Sequence, residues 1–152
     1  LKGRNLKLVL EPGRRLVGNA AVLLTSVEYL KPTELKNFAI VDAAMNDLAR
    51  PALYDAWHDI TPVNPHHENE QTWDIVGPIC ESTDFLGRER KLCLKEGDLL
   101  AIKSAGAYGT TMSSTCNSRQ RAPEIMVDAD KIHEIRRRET VAELYAHASV
   151  LP

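Results

Sequence analysis

Short strand-like segments separated by turn-forming residues run through most of this chain. Turns such as Lys31-Pro32-Thr33 and Lys95-Glu96-Gly97-Asp98 interrupt the apolar and β-branched runs before any of them reaches the length of an ordinary helix. This pattern predicts a mainly β domain, a barrel or a sandwich, with a few short helices. The predicted strands are residues 21–29, 38–42, 57–63, 71–76 and 99–103, followed by a closing pair at 124–127 and 131–137.

The remaining segments predict short helices and connections. A helical turn is expected at residues 15–20, Pro51 is suited to open a short helix, and residues 139–147 predict a final helix. The polar residues 85–95 predict a connection between strands. Residues 110–121 are rich in serine, threonine and asparagine and predict a loop.

The first apolar segment, residues 6–10, predicts a buried strand close to the start of the sequence. Because the chain opens on Leu1 rather than on an initiator methionine, we expect a fragment of a longer polypeptide. We therefore assign residues 1–20 to the end of a preceding domain and residues 21–152 to the β domain.

Composition limits the partners that this chain is expected to have. The 19 basic and 21 acidic residues give a net charge of -2, so no broad basic surface is expected to bind nucleic acid. The most apolar stretch, residues 20–30, is too short to span a bilayer, so no membrane partner is expected. Three cysteines without a CxxC pair predict a reducing, cytoplasmic compartment rather than a disulfide framework. The adjacent His66 and His67 do not predict a metal site.

Cys80 and Glu81 form the most reactive pair in the sequence. They follow Gly77-Pro78, which ends the predicted strand at residues 71–76, so both side chains are expected at a strand end. A thiol can exchange a proton, while a carboxylate can hold a cation. The alternative is a small buried cysteine next to an ordinary surface charge, and these two residues alone favour that alternative.

Three further positions have residue types that suit anions. In Glu11-Pro12-Gly13-Arg14 the backbone can approach a ligand closely, although a tight loop with a surface ion pair explains the same residues. Arg50 and Tyr54 lie one helical turn apart and suit a carboxylate; alternatively Tyr54 packs with its apolar neighbours and Arg50 caps a turn. Gly106 and Gly109 flank Tyr108 and would free its backbone to present the hydroxyl to a phosphate.

The order of these motifs resembles the carboxy-terminal part of the diaminopimelate decarboxylase family. The resemblance extends from near Leu6 to near Thr140. It is carried by Glu11-Pro12-Gly13-Arg14, Asp42-Ala43-Ala44-Met45-Asn46-Asp47, Arg50-Pro51-Ala52-Leu53-Tyr54, Gly77-Pro78-Ile79-Cys80-Glu81-Ser82, Gly97-Asp98, Gly106-Ala107-Tyr108-Gly109 and Asn117-Ser118-Arg119.

The resemblance implies a pyridoxal 5'-phosphate enzyme that decarboxylates meso-diaminopimelate to L-lysine. It also implies a (β/α) barrel followed by a carboxy-terminal β domain, with residues 6–10 as the last barrel strand. Homodimers with active sites shared between subunits are implied as well. The Schiff-base lysine and the glycine-rich phosphate loop of the family belong to the barrel, and no lysine of this chain stands in a matching context. The fragment alone is therefore expected to be inactive.

The resemblance also implies roles for individual residues. Glu11 would face the pyridine nitrogen, while Gly13, Arg14 and Tyr108 would contact the cofactor phosphate. The substrate would be bound by Arg14, Arg50, Tyr54, Glu81 and Tyr108, with Glu81 on the distal ammonium. Cys80, reaching in from the partner subunit, would be the catalytic proton donor.

Two positions depart from the family pattern, and two other functions stay open. Ala44 stands where glycine is usual, and Cys116 stands where tyrosine is common. One alternative is a decarboxylase of another basic amino acid, of the ornithine or arginine type. The other is a noncatalytic homologue that serves dimerisation or regulation.

Overall fold

The computed structural model describes residues 3–151 and is built mainly from strands. Its helices are short, and 3-10 turns at Gly18–Ala20, Thr110–Met112 and Cys116–Ser118 complete the connections. The elements in chain order are α1 (Arg14–Val17), β1 (Leu23–Pro32), β2 (Asn37–Val41), α2 (Arg50–Tyr54), β3 (Ile60–Pro62), β4 (Gln71–Val76), β5 (Phe85–Leu92), β6 (Leu99–Ile102), β7 (Glu124–Asp128), β8 (Lys131–Arg136) and α3 (Val141–Leu144).

Six strands form one sheet in the order β3-β6-β1-β2-β4-β5. Neighbouring strands are antiparallel except for the parallel pair β2 and β4. The sheet curls until its two edge strands approach each other, since a methyl group added at Gly87 of β5 would lie 2.7 Å from Cδ1 of Ile60 in β3. The result is a nearly closed barrel, which confirms the predicted mainly β fold.

The core lies inside this barrel and is formed by inward-facing aliphatic side chains. Each large side chain removed from water in this way contributes about 1.5–3 kcal/mol to the hydrophobic driving force. Because alternate residues of a strand face opposite sides of the sheet, only part of each strand contributes. The core includes Val27, Ala39, Val41, Leu48, Ile75, Leu86, Leu100 and Ile102.

The predicted polar connection at residues 85–95 is wrong, because most of it forms strand β5. Phe85, Leu86 and Gly87 are buried, whereas Arg88 and Glu89 face solvent. The strand pairs with β4 through an irregular register. Its polar composition therefore does not mark a connection: Arg88 and Glu89 are exposed in the middle of the strand, and Arg90 is buried although it is charged.

The predicted strand at residues 6–10 is also wrong for the structure of this chain. These residues are exposed and have no regular secondary structure. A strand needs a neighbour for its backbone N–H and C=O groups, and none of the strands within residues 3–151 pairs with this segment. The assignment of residues 1–20 to a preceding barrel stays a prediction, and Leu1 and Lys2 lie outside the described residues.

The other predicted elements are present, and some of their boundaries differ. The strand expected at residues 21–29 is Leu23–Pro32, so it runs into the turn predicted at Lys31-Pro32-Thr33. The strand expected at residues 57–63 shrinks to Ile60–Pro62, and the final helix expected at 139–147 shrinks to Val141–Leu144. The closing strands β7 and β8 pair with each other in a separate two-stranded sheet. Across residues 3–151, no helix combines the length and the hydropathy that crossing a membrane requires.

Candidate active site

The Arg50 side chain lies between two tyrosine rings. Its Cζ is 5.7 Å from the centroid of the Tyr54 ring and 5.5 Å from that of the Tyr108 ring. Helix α2 presents Arg50 and Tyr54 one turn apart, while Tyr108 comes from the segment that follows β6. The tyrosines are 63% and 47% exposed. A guanidinium and two accessible phenols therefore form one cationic, hydrogen-bonding surface that suits a carboxylate.

The alternative, in which Tyr54 packs with its apolar neighbours Leu53 and Trp57, does not make these residues part of the core. Leu53, Tyr54 and Trp57 are all exposed. The Trp57 ring contacts the guanidinium of Arg90, since Cζ of Arg90 lies 3.1 Å from the centroid of the Trp57 ring. Burial lowers the pKa of Arg90, and the charge of Asp59 opposes that shift.

Tyr108 is held in a left-handed backbone conformation, with φ of 60°. The expectation that Gly106 and Gly109 supply the backbone freedom is wrong, because neither glycine has a positive φ. They are needed for close approach, since a Cβ at Gly106 would lie 2.1 Å from the Val17 carbonyl oxygen. The Gly106 N–H also donates to the Gly18 carbonyl at 3.0 Å. These contacts dock the Tyr108 turn against the segment that follows α1.

Glu11, Gly13 and Arg14 lie exposed at the start of α1. A Cβ at Gly13 would meet no atom within 4 Å, so the backbone at this glycine is open to a ligand. The carboxylate of Glu11, the guanidinium of Arg14 and the hydroxyl of Tyr108 are groups that fit a protonated pyridine nitrogen and a phosphate. These residues therefore fit a pyridoxal-phosphate cofactor.

Cys80 and Glu81 are exposed in the loop that follows β4, as the sequence predicts for a strand end. The alternative of a buried structural Cys80 is wrong. Nδ2 of Asn117 lies 3.8 Å from the Cys80 sulfur and donates a weak hydrogen bond to it. The structure thus brings Cys80 together with Asn117, a residue to which the sequence assigned no role.

The loop that follows β2, residues 42–49, anchors the segment that carries Asn117. Asn46 is buried; its Nδ2 donates to the Ser114 carbonyl at 3.2 Å, and the Ser114 N–H donates back to the Asn46 carbonyl at 2.9 Å. Arg119 donates to the Asp42 carbonyl and lies 3.7 Å from the Asp47 carboxylate. In the sequence, Asn46 and Arg119 stand out only as parts of the resemblance and Ser114 does not stand out, because nothing local shows that the two segments meet.

Burial raises the pKa of Asp47, and the Ala44 N–H and the charge of Arg119 oppose that shift. Ala44, where the resemblance implies a glycine, is itself fully buried. Its N–H donates to the Asp47 carboxylate at 2.9 Å. The extra methyl group is therefore accommodated inside the anchoring loop.

Three groups of predicted residues result from this arrangement. One contains Arg50, Tyr54 and Tyr108, and a second contains Cys80 and Glu81. The third is the segment from Glu11 to Arg14. Among the described residues, no cluster of three or more His, Cys, Asp or Glu side chains is placed to hold a metal ion.

Comparison with known proteins identifies relatives of the whole chain. A family model described as "Pyridoxal-dependent decarboxylase, C-terminal sheet domain" matches residues 15–106. The diaminopimelate decarboxylase of Pseudomonas aeruginosa is 63% identical over 152 residues, which cover 100% of this chain and 37% of that protein. The chain thus spans about a third of the length of the curated relatives it matches.

Solved structures are similar over the same region. Diaminopimelate decarboxylase from M. jannaschii, in co-complex with L-lysine, has a TM-score of 0.90 and 40% identity, covering 93% of this chain and 33% of that chain. A lysine/ornithine decarboxylase from Vibrio vulnificus, complexed with cadaverine, has a TM-score of 0.66 and covers 74% of this chain and 30% of that one. Its identity of 24% supports the shared fold alone. The family model matches residues 15–106, which include the six strands of the β barrel described above. This match shows that the chain belongs to the pyridoxal-dependent decarboxylases, as their carboxy-terminal sheet domain.

Proposed function

We propose that this chain is the carboxy-terminal part of a diaminopimelate decarboxylase, which converts meso-2,6-diaminopimelate to L-lysine and carbon dioxide. The geometric observation that carries the proposal is Arg50 between two exposed tyrosines, a carboxylate-binding surface in a decarboxylase domain. The identity of 63% to a diaminopimelate decarboxylase along the whole chain supports this substrate.

The substrate has an amino-acid group at each end, so the end that is not decarboxylated offers both a carboxylate and an ammonium. Arg14, Arg50 and Tyr54 bind that carboxylate, and Glu81 binds the ammonium beside it. Tyr108 contacts both substrate and cofactor. Fixing the distal end in this way determines which carboxylate reaches the reacting centre, and positioning of this kind lowers the barrier to the chemical step.

Pyridoxal phosphate, when bound, supplies an electron sink for the electron pair left by the departing carbon dioxide. Glu11 would keep a proton on the pyridine nitrogen of the cofactor. Gly13, Arg14 and Tyr108 contact the phosphate. The exposed polar groups and the open backbone at Gly13 support this assignment.

Cys80 donates a proton to the carbon from which carbon dioxide has left. It must therefore begin the step as a thiol rather than as a thiolate. Its exposure at the end of β4 supports this role, because a buried sulfur would not reach a substrate. The Asn117 amide beside the sulfur limits the directions in which the thiol can point.

The complete enzyme works as a cytoplasmic homodimer in which Cys80 of one subunit enters the active site of the other. The three cysteines, all free, support a reducing compartment. The chain by itself is inactive, since the Schiff-base lysine and the glycine-rich loop lie in the amino-terminal (β/α) barrel of the full-length protein.

The test is to supply the full-length protein, loaded with cofactor, with meso-diaminopimelate, L-ornithine and L-arginine in parallel. We expect L-lysine and carbon dioxide from meso-diaminopimelate and little turnover of the other two. Turnover of ornithine or arginine alone would establish a different basic amino acid as the substrate. Absence of carbon dioxide with all three would favour a noncatalytic homologue.

A further inference from the structure

Asp84 is a buried carboxylate that the proposed chemistry does not use. It immediately precedes β5, and only 4% of its surface is exposed. A buried carboxylate is costly unless hydrogen bonds replace its water, so its partners indicate what it stabilises. None of the ion pairs within residues 3–151 includes Asp84, and its partners are backbone amides.

The two carboxylate oxygens of Asp84 bind two different loops. Oδ1 accepts a hydrogen bond of 2.7 Å from the N–H of Met45, in the loop that follows β2. Oδ2 accepts one of 2.7 Å from the N–H of Ile79, the residue directly before Cys80. Both distances are short, as expected when the acceptor is charged. One side chain thus joins the loop carrying Cys80 to the anchoring loop at residues 42–49.

The backbone around this junction is tightly packed. The Gly77 N–H donates to the Asp84 carbonyl at 3.1 Å. A Cβ at Gly77 would lie 2.4 Å from Oδ2 of Asp84 and 2.8 Å from the carbonyl oxygen of Ala43. The loop that carries Cys80 therefore has little freedom to shift while the carboxylate is in place.

The anchoring loop at residues 42–49 also holds the segment that carries Asn117, the residue beside the Cys80 thiol. Asn46 in that loop exchanges hydrogen bonds with Ser114, three residues before Asn117. Asp84 connects Cys80 to the anchoring loop, and Asn46 connects Asn117 to it. The distance of 3.8 Å between the Cys80 sulfur and the Asn117 amide thus depends on both connections.

We propose that Asp84 is a positioning residue that fixes the direction of the Cys80 thiol through the backbone of Ile79. The inference rests on the proton-donor role proposed for Cys80. Removing the carboxylate frees the Ile79 amide and lets the loop move, so the thiol no longer approaches the reacting carbon correctly. Misplacement by about 1 Å can reduce an enzymatic rate on the order of a hundredfold.

The experiment compares Asp84→Asn and Asp84→Ala in the full-length protein loaded with cofactor. Asparagine keeps one acceptor oxygen and turns an amide group toward the other N–H, whereas alanine removes both acceptors. We expect kcat for lysine formation to fall by roughly ten to a hundredfold in the alanine variant and less in the asparagine variant. KM for diaminopimelate should rise by a smaller factor than kcat falls, because Glu81 moves with the same loop while Arg14, Arg50 and Tyr54 still bind the carboxylate. Asp59→Asn, which removes an exposed carboxylate elsewhere, is the matched control and should change neither constant.

A second readout does not depend on turnover. The rate at which iodoacetamide alkylates Cys80 is measured by mass spectrometry, with Cys93 of the same molecules as internal reference, because Cys116 belongs to the segment that the anchoring loop holds. We expect the ratio of the two rates to change several-fold in both Asp84 variants and to stay constant in Asp59→Asn. If Asp84→Ala does not fold, Asp84→Asn carries both measurements.

Folded Asp84 variants with unchanged kcat and an unchanged alkylation ratio would overturn the proposal. An equal change in both alkylation rates, together with a lower melting temperature and unaltered kcat, would also overturn it, because Asp84 would then be merely structural. If Cys80→Ala retained full activity, the proton-donor role would fail instead. The alkylation ratio would still test whether Asp84 positions the thiol.

Discussion

At the scale of single residues, Cys80 depends on its surroundings more than on its immediate sequence. The thiol is exposed at the end of β4, with an amide nitrogen 3.8 Å from its sulfur. A side chain in this position can reach a molecule outside the domain, which a core cysteine cannot do. The role proposed for Cys80 therefore depends on where β4 ends and on the loop that brings Asn117 beside it.

Replacing Cys80 by alanine tests the proton-donor role directly. In the full-length protein we expect kcat for lysine formation to fall on the order of a hundred to ten-thousandfold, the usual contribution of a general acid. The absorbance of the bound cofactor should persist, because Cys80 does not hold it. Cys116→Ala is the matched control and should keep its activity. Undiminished lysine formation by Cys80→Ala would show that another group donates the proton.

At the scale of elements, α3 shows how a very short helix is stabilised by its cap. The Thr140 side chain accepts a hydrogen bond from the Glu143 N–H, and the Glu143 carboxylate accepts one from the Thr140 N–H. The Arg137 guanidinium forms an ion pair with the same carboxylate. Starting a helix costs conformational entropy, and a helix of one turn makes few hydrogen bonds to offset that cost. The capping box adds two hydrogen bonds and so offsets part of it.

The cap makes a specific prediction about pH. The hydrogen bond from Arg137 and those from Thr140 lower the pKa of Glu143 to about 2. Because the folded pKa is depressed, the cap contributes its full stability above the ordinary pKa of 4.5 and loses it as the pH falls toward 2. An NMR titration of the Glu143 carboxyl carbon should give a midpoint near 2, and Arg137→Gln should raise that midpoint. A midpoint near 4.5 in the unaltered protein would contradict the ion pair.

At the scale of the whole molecule, the residues assigned to one reaction come from different segments of the fold. Arg50, Tyr54 and Tyr108 form the proposed carboxylate-binding surface, while Cys80 and Glu81 lie in the loop that follows β4. A two-fold symmetric dimer can combine such segments, because each subunit can contribute a different group to each of two equivalent sites. The proposed shared site therefore assigns Arg50 and Cys80 of one active site to different subunits.

Complementation between two inactive variants tests that arrangement. Full-length Cys80→Ala and Arg50→Ala proteins are mixed under conditions in which subunits exchange. Random exchange makes half of the dimers mixed, and one of the two sites in a mixed dimer is intact, so about a quarter of the normal activity should return. Each variant incubated alone is the control. Lack of recovery despite demonstrated exchange would place both residues in the same subunit's site.

Much of the fold and part of the site follow from local sequence. Alternating apolar residues and proline or glycine turns predict β1, β2, β4 and β6, because a buried strand face must be apolar whatever its partner. The spacing of Arg50 and Tyr54 likewise predicts that they share one side of a helical turn. The order of the motifs identifies the family through a resemblance that runs over most of the chain.

Only the tertiary structure decided the contacts between segments that are distant in the chain. It showed that the polar residues 88–91 belong to a strand in which Arg90 is buried, that residues 6–10 pair with no strand within the described chain, and that Tyr108 lies against Arg50. It also showed that Asp84 joins two loops through backbone amides, a role that no local pattern indicates. The periodicity of a segment indicates which of its surfaces is buried. It does not indicate which other segment packs against that surface, because the curvature of the sheet determines which remote loops come together.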